Sequence, residues 1–278
     1  MAPPVKNIIS FLNKEAPFSL AESWDNVGLL IGNPEQEITS ILIGLDPTNS
    51  LIDEALVLGA NTVITHHPVI FRPIPAINTA NPEGKLLEKA LVNKIAIIAC
   101  HTNLDSAADG VSDILGSLLG LTGLTPLLPA NKEKPAETTG LGRIGSFSTP
   151  VATGDFIQQV MEALNLRSLQ VAGKIPEMIT TVAVCGGSGS DLATEAFARK
   201  ADIYLSAEIK HDTAIWAGEN NFCVIDATHF ATEQPSVGLL AEKLKRAADR
   251  EKWNITIRQS ESEHHPFTQI DRNYSTRV

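Results

Sequence analysis

Short apolar runs alternate along the chain with segments whose apolar residues recur every three to four positions. In the first half the runs predict strands at 41–46, 63–65 and 95–100, and the periodic segments predict helices at 7–13, 50–58, 84–92 and 111–119. Strands that are buried on both faces read as continuous apolar runs. This order therefore predicts a mostly parallel sheet that helices cover on both faces.

The second half shows the same alternation, with strands expected at 180–185, 203–205, 222–226 and 253–257 and helices at 155–164, 192–199, 213–217 and 237–248. Between residues 121 and 139 the composition changes to Gly, Pro, Lys and Glu, and residues 131–135 are the best linker candidate. We therefore predict an α/β protein with two α/β domains, residues 1–128 and 129–278. Each has a mixed, mostly parallel sheet flanked by helices, and a cleft lies between them.

Two adjacent histidines, His66 and His67, stand at the end of a β-branched run and are followed by Pro68. Proline has no N–H and ends the strand there. Ligands in open α/β sheets bind at such strand ends. Taken alone, the pair is equally compatible with a partly exposed, hydrogen-bonded turn.

Two further polar clusters follow apolar strands. The first is His101-x-x-x-Asp105, and the second contains Asp226, His229 and Glu233. Residues four apart share one face of a helical turn, so His229 and Glu233 can direct an imidazole and a carboxylate to one point. The same spacing builds metal sites in known motifs.

Together these clusters predict metal ligation by His66, His67, Asp105, His229 and Glu233. Imidazole and carboxylate without thiolate suit Zn, Fe(II), Mn, Co or Ni. Five ligands exceed what one catalytic zinc takes, so we expect two divalent metal ions about 3.5–4 Å apart, bridged by Glu233. The alternative for each histidine alone is a satisfied turn or core residue.

Composition limits the possible partners. The net charge of −10 makes duplex nucleic acid an unlikely partner. The three cysteines lie in apolar runs and form no CxxC pair, which fits a reducing, cytoplasmic setting. No apolar stretch approaches the length that spans a bilayer, and the N-terminus lacks the apolar core of a signal peptide.

Three weaker features have simpler structural explanations. The loop from Gly186 to Ser190 could present N–H groups to an anion, but a tight strand-to-helix turn is favoured. Lys210-His211-Asp212 is interpreted as a surface helix start. The pair His264-His265 lies in a polar tail and is expected to be solvated.

Several motifs resemble, in order, those of the GTP cyclohydrolase 1 type 2 homolog family, also called NGG-one-interacting-factor-three-like. They are Ser23-Trp24-Asp25-Asn26-Val27-Gly28-Leu29, Thr65-His66-His67-Pro68, His101-Thr102-Asn103-Leu104-Asp105, Gly142-Arg143-Ile144-Gly145, Gly186-x-Ser188-Gly189 and Asp226-x-x-His229-x-x-x-Glu233. The resemblance covers almost the whole chain. The short 121–139 segment matches the compact form, without the inserted middle domain of longer members.

The resemblance implies a dinuclear metal site between two α/β domains and a ring-shaped homohexamer. It places the five residues above at the family's metal ligands and His101 beside them, as an outer residue or proton carrier. The function expected is a metal-dependent hydrolase of a nucleotide-like or other small substrate, a phosphoester or an amide. The alternative is a non-catalytic metal-binding protein that serves interaction, regulation or metal trafficking.

Overall fold

The computed structural model describes residues 1–131, 138–268 and 270. Of the expected linker at residues 131–135, all but the first residue lies outside this range. In the described chain, the strands are β1 (Gly28–Ile31), β2 (Ser40–Gly44), β3 (Thr62–Thr65), β4 (Ala96–Ala99), β5 (Thr122–Pro129), β6 (Gly140–Ala152), β7 (Gln170–Ala172), β8 (Met178–Ser188), β9 (Ile203–Ala207), β10 (Cys223–Asp226) and β11 (Thr256–Gln259).

The helices of the described chain are α1 (Val5–Glu15), α2 (Asn49–Val57), α3 (Pro82–Val92), α4 (Thr102–Ser106), α5 (Val111–Leu118), α6 (Thr153–Ala163), α7 (Ala193–Ala198), α8 (His211–Glu219), α9 (His229–Glu233) and α10 (Pro235–Glu251). Single 3-10 turns cover Phe18–Leu20 and Ser190–Leu192. Across the described ranges, none of these helices has the length and apolar character needed to cross a lipid bilayer.

The first sheet has the strand order β1-β4-β3-β2-β11. β2, β3 and β4 run parallel, β11 adds in parallel to β2, and β1 closes the other edge antiparallel to β4. Ile43 packs toward α1 and α10, whereas its neighbour Leu42 packs toward α2 and α3. Both faces are thus buried, which explains the continuous apolar runs of these strands.

The second sheet has the order β5-β6-β8-β9-β10-β7. Only β8-β9 and β9-β10 are parallel among its described pairings, and the other three are antiparallel. The prediction of a mostly parallel sheet is therefore wrong for this half. The protein has two mixed sheets flanked by helices.

The segment 121–139, where the composition changes to Gly, Pro, Lys and Glu, contains strand β5, which pairs antiparallel with β6. Its Gly123 and Pro126 concealed the strand in the sequence. Proline lacks a ladder donor and is tolerated mainly at the edge of a sheet, and β5 is an edge strand.

The division predicted between residues 128 and 129 does not separate the two sheets. β5 lies before it except for its last residue, Pro129, yet belongs to the second sheet, and β11 lies after it yet belongs to the first. α10 also packs on the first sheet through Val237, Leu240 and Leu244. The chain therefore enters the second sheet and returns.

Arg143 on β6 joins the two halves and is 1% exposed. Its Nε and Nη2 donate to the two carboxylate oxygens of Asp113 on α5, at 2.8 and 2.7 Å. Nη2 also donates to the carbonyl of Ala107, just beyond α4, at 2.7 Å. The buried guanidinium thus fixes α4 against the second sheet.

Two local details concern the ends of elements. Thr48 caps α2, because its Oγ1 accepts the Leu51 N–H at 3.1 Å. β8 continues through Gly186 and Gly187 to Ser188, so the expected glycine turn begins only at Gly189.

Candidate metal centre

The polar clusters that follow three strands meet at one place. His66 and His67 come directly after β3, and Asp105 lies on the short helix α4 that follows β4. His229 and Glu233 begin and end α9, just beyond β10 of the second sheet. The five residues predicted from the sequence therefore converge from both sheets.

Glu233 lies at the centre of this cluster and is 3% exposed. Its Oε1 is 3.6 Å from His66 Nε2, and its Oε2 is 3.1 Å from His67 Nε2 and 3.0 Å from His229 Nε2. Asp105 Oδ1 is 3.6 Å from His66 Nε2. Two groups able to hold a metal ion therefore share Glu233: His66, Asp105 and Glu233, and His67, His229 and Glu233.

In His66, His67 and His229, the Nδ1 atom donates a hydrogen bond to an oxygen and so fixes the orientation of the ring. The acceptors are the Cys100 carbonyl for His66 at 2.8 Å, Asp46 for His67 at 2.8 Å and Glu208 for His229 at 3.0 Å. This leaves the Nε2 lone pairs directed into the cluster. The Nε2 atoms of His67 and His229 face each other at 3.3 Å, which is repulsive unless a cation or proton lies between them.

Buried polar atoms without a partner provide the test of whether a metal fits. Among the described residues, His66 Nε2, Asp105 Oδ1 and Glu233 Oε2 are buried and make no hydrogen bond of good geometry. Such orphaned atoms are costly in a folded protein. All three are ligand atoms of the two groups, so the donor set fits divalent cations.

The electrostatics of the cluster favour positive charge. Burial opposes protonation of His67, but Asp46 and Glu233 outweigh it and raise its pKa to about 10. Burial raises the pKa of Asp105 to about 7, against the opposing effect of His66. Burial also opposes ionisation of Glu233, yet His66, His229 and His67 hold its pKa well below the usual value. A cation would satisfy the same carboxylates.

His101 lies beside the cluster, with its ring centroid 5.2 Å from that of His66. Its Nδ1 contacts Asp25 Oδ1 at 2.8 Å, and the other oxygen of Asp25 accepts both the N–H and the hydroxyl of Thr102. Burial and the neighbouring His66 lower the pKa of His101, and Asp25 opposes this. Because Nδ1 contacts Asp25, Nε2 is the atom left for the group of His66, His67 and His101, whose ligand atoms lie within 4.8 Å of one another.

Two backbone positions bring His229 and Glu233 into place. Gly187 has φ +66, and a Cβ there would lie 2.0 Å from Glu233 Oε1. Thr228, just before His229, has φ 66 and ψ 145, a region that β-branched residues avoid. Such strain is typical of functional sites.

The other histidine pair lies apart from the centre. His264 is exposed and His265 is half-buried, with its ring 5.8 Å from that of Phe230. Lys210-His211-Asp212 begins α8 as expected, and Lys210 Nζ pairs with Asp191 at 2.7 Å.

Sequence reasoning missed the carboxylates behind the histidines. Asp46 carried a signal, because it ends an apolar strand, and Asp25 lay within the Ser23 to Leu29 motif. Glu208 had no local signal, since it acts from the end of β9 on a residue 21 positions away.

A cavity of about 710 Å³ opens onto the centre. His67, His101, Asp105, His229 and Glu233 lie on its floor side, and Trp24 and Phe71 form part of its wall. The volume is in the range of small-molecule sites.

The fold and site define a class: an α/β protein of two mixed sheets, with histidine and carboxylate groups between them that can hold metal ions. The chain belongs to the Duf34/NIF3 (NGG1p interacting factor 3) family, whose model matches residues 3–266. This membership confirms the resemblance seen in the motifs.

Relatives named "GTP cyclohydrolase 1 type 2 homolog" are similar over nearly their whole length. The Streptomyces coelicolor protein is 34% identical over 96% of this chain and 94% of its own. The Clostridium acetobutylicum protein is 33% identical over 96% and 99%. A crystal structure of a Bacillus cereus protein related to NIF3 superimposes with a TM-score of 0.89 at 27% identity, covering 97% of this chain and 99% of that one.

Proposed function

We propose that this protein binds two divalent metal ions and acts as a metal-dependent hydrolase on a small substrate. The observation that carries the proposal is the convergence of His66 Nε2, Asp105 Oδ1 and Glu233 Oε2, three buried atoms with no hydrogen-bond partner among the described residues. Removing such atoms from water is unfavourable unless a ligand satisfies them.

The two carboxylate oxygens of Glu233 face different histidines, which supports a bridging role. His66, Asp105 and Oε1 would hold one ion, and His67, His229 and Oε2 would hold the other. Two bound cations would supply Lewis-acid activation of water and of an electrophilic substrate group.

His101 is the proposed proton carrier. Asp25 accepts from Nδ1 and so fixes the tautomer in which Nε2 is free to take up a proton. The burial that lowers its pKa keeps the imidazole neutral and able to act as a base near neutral pH.

The name shared by the relatives supports a nucleotide-like substrate as the first class to assay. The cavity of about 710 Å³ is large enough for a molecule of that size. Phosphoesters and amides remain the other two classes of the proposal.

The experiment compares metal content, metal affinity and turnover in the wild type, His67→Ala and the control His264→Ala. The control removes an exposed histidine outside the centre. We expect two metal ions per chain in the wild type and the control, and a lost site in His67→Ala. A wild type that takes up no metal ions would contradict the metal-binding proposal, and equal metal binding by all three proteins would contradict the assignment of His67 as a ligand.

Turnover is measured on the same proteins with nucleotide, phosphoester and amide panels. Hydrolysis by the wild type and the control that is lost in His67→Ala supports the proposal of a metal-dependent hydrolase. Two exchangeable metal ions without turnover on any panel would instead support the non-catalytic alternative of interaction or metal trafficking.

We also propose a ring-shaped homohexamer, on the strength of the family resemblance. Light scattering of the purified protein tests it directly. A mass of one or two chains at micromolar concentration would contradict it.

A further inference from the structure

The wall of the cavity contains three aromatic rings that stand edge to face. The ring centroids of Trp24 and Phe71 are 5.7 Å apart. The centroid of the His101 ring lies 6.2 Å from that of Trp24 and 6.1 Å from that of Phe71. Trp24 is 57% exposed and Phe71 is 42% exposed. Large aromatic side chains that remain exposed in a concave site are typical of surfaces that bind a ligand.

This aromatic corner, Trp24 with Phe71 and His101, is held in place before any ligand arrives. Asp25 next to Trp24 is bound to His101 and Thr102. Asn26 Nδ2 donates to the carbonyl of Ile70 at 2.5 Å, which ties the Trp24 loop to the segment that carries Phe71. A rigid wall binds a flat ring with little loss of conformational entropy.

The charge of the cavity restricts what else the ligand can carry. Beyond the centre, its lining includes Leu128, Leu141, Leu192 and the carboxylate of Glu22, while the carboxylate of Asp191 pairs with Lys210 at 2.7 Å. No lysine or arginine is among its lining residues in the described part of the chain. An anionic group placed away from the metal ions would therefore meet apolar or negative surface.

We propose that the substrate combines one metal-binding head with an uncharged flat ring that packs against the aromatic corner. The proposal of a metal-binding head depends on the proposed metal-binding function, whereas the proposal of a flat ring depends on the exposed side chains of Trp24 and Phe71. A substrate bearing a polyphosphate tail beyond the metal ions is disfavoured by Glu22 and by the apolar lining. This narrows the substrate class that the relatives' name suggests.

Three hydroxamates separate these contributions, because they share one metal-binding head. Acetohydroxamate has no ring, benzohydroxamate adds a neutral ring, and 4-carboxybenzohydroxamate adds a charge at the far end of that ring. By titration calorimetry on metal-loaded protein, we expect benzohydroxamate to bind about tenfold tighter than acetohydroxamate and the carboxylated compound to lose most of that gain. Equal affinity for acetohydroxamate and benzohydroxamate, or tightest binding by the charged ring, would overturn the proposal.

Matched variants locate the ring. Phe71 and Phe197 are both 42% exposed, but Phe197 packs outside the cavity against Trp216 and Phe222. Trp24→Leu and Phe71→Leu should remove most of the advantage of benzohydroxamate, and Phe197→Leu should keep it. Thermal unfolding and metal content confirm that each variant is folded and loaded. An unchanged advantage in folded Trp24→Leu and Phe71→Leu would refute the aromatic corner.

The two proposals fail in different ways. A protein that takes up no metal ions would contradict the metal-binding function, and failure of acetohydroxamate to bind the loaded protein would contradict the metal-binding head; the ring site would then be judged on benzohydroxamate alone. Binding of benzohydroxamate that depends on Trp24 would still support the ring site. Failure of both compounds to bind would overturn it.

Discussion

Gly187→Ala tests whether the position of Glu233 controls metal binding. A Cβ at Gly187 would lie 2.0 Å from Glu233 Oε1 and 3.3 Å from His229 Nε2. An ordinary contact begins at 3.4 Å, so the carboxylate oxygen would have to retreat by about 1.4 Å. Metal ligands tolerate displacements of only about 0.2 Å, so this shift removes Oε1 from the centre.

The same substitution also strains the backbone. Gly187 has φ +66, and a side chain in the left-handed region costs about 1–2 kcal/mol. Gly59 has the same φ of +66, but a Cβ there would meet nothing within 4 Å. Gly59→Ala therefore carries the backbone strain without the clash, and serves as the matched control.

We expect both variants to lose about 1–2 kcal/mol in the free energy of unfolding, measured by urea denaturation of the metal-free proteins. Metal affinity, measured by calorimetry, should fall at least about tenfold in Gly187→Ala and stay unchanged in Gly59→Ala. Wild-type metal affinity in Gly187→Ala would refute the assignment of Glu233 Oε1 as a ligand. Weakened binding in both variants would show that the loss comes from general destabilisation.

Three further variants test the surroundings of the centre. Asp46→Asn should weaken metal binding by about tenfold or more, measured by calorimetry, because it removes the charge that orients His67. Unchanged metal affinity would contradict this role of Asp46. Arg143→Met should lower the free energy of unfolding by about 3–5 kcal/mol in urea denaturation, since it leaves Asp113 without its buried partner. A loss below about 1 kcal/mol would contradict the role of Arg143 in joining the two halves. Thr228→Gly should raise the free energy of unfolding in the same urea denaturation by about 1–2 kcal/mol, because it releases backbone strain. A lower free energy of unfolding would refute the assignment of backbone strain to Thr228.

The first sheet could be predicted from the sequence because its strands are buried on both faces. The runs at 41–46, 63–65 and 95–100 correspond to β2, β3 and β4, whose residues are almost all buried. The antiparallel β5 and β6 of the second sheet gave weaker signals. β5 contains exposed positions, glycine and proline, so its strand pairing depends on β6 rather than on its own sequence.

The site residues could be predicted because polar residues at strand ends interrupt an otherwise apolar pattern. Glu208 could not be found in this way, since its contact with His229 arises from the parallel pairing of β9 and β10. The conformational requirement at Gly187 was also hidden. It depends on the carboxylate that α9 places 2.0 Å from the missing Cβ, 46 residues later in the chain.

The topology explains why the centre needs both sheets. His66 and His67 follow a strand of the first sheet, while Glu233 follows β10 of the second, and Arg143 fixes the two against each other through α4 and α5. α10 leaves the centre directly after Glu233 and packs back onto the first sheet, which β11 then completes. Because the chain crosses between the sheets on either side of the ligands, a shift of one sheet relative to the other would separate His67 from His229. The rigidity of that junction therefore sets the geometry of the proposed metal centre.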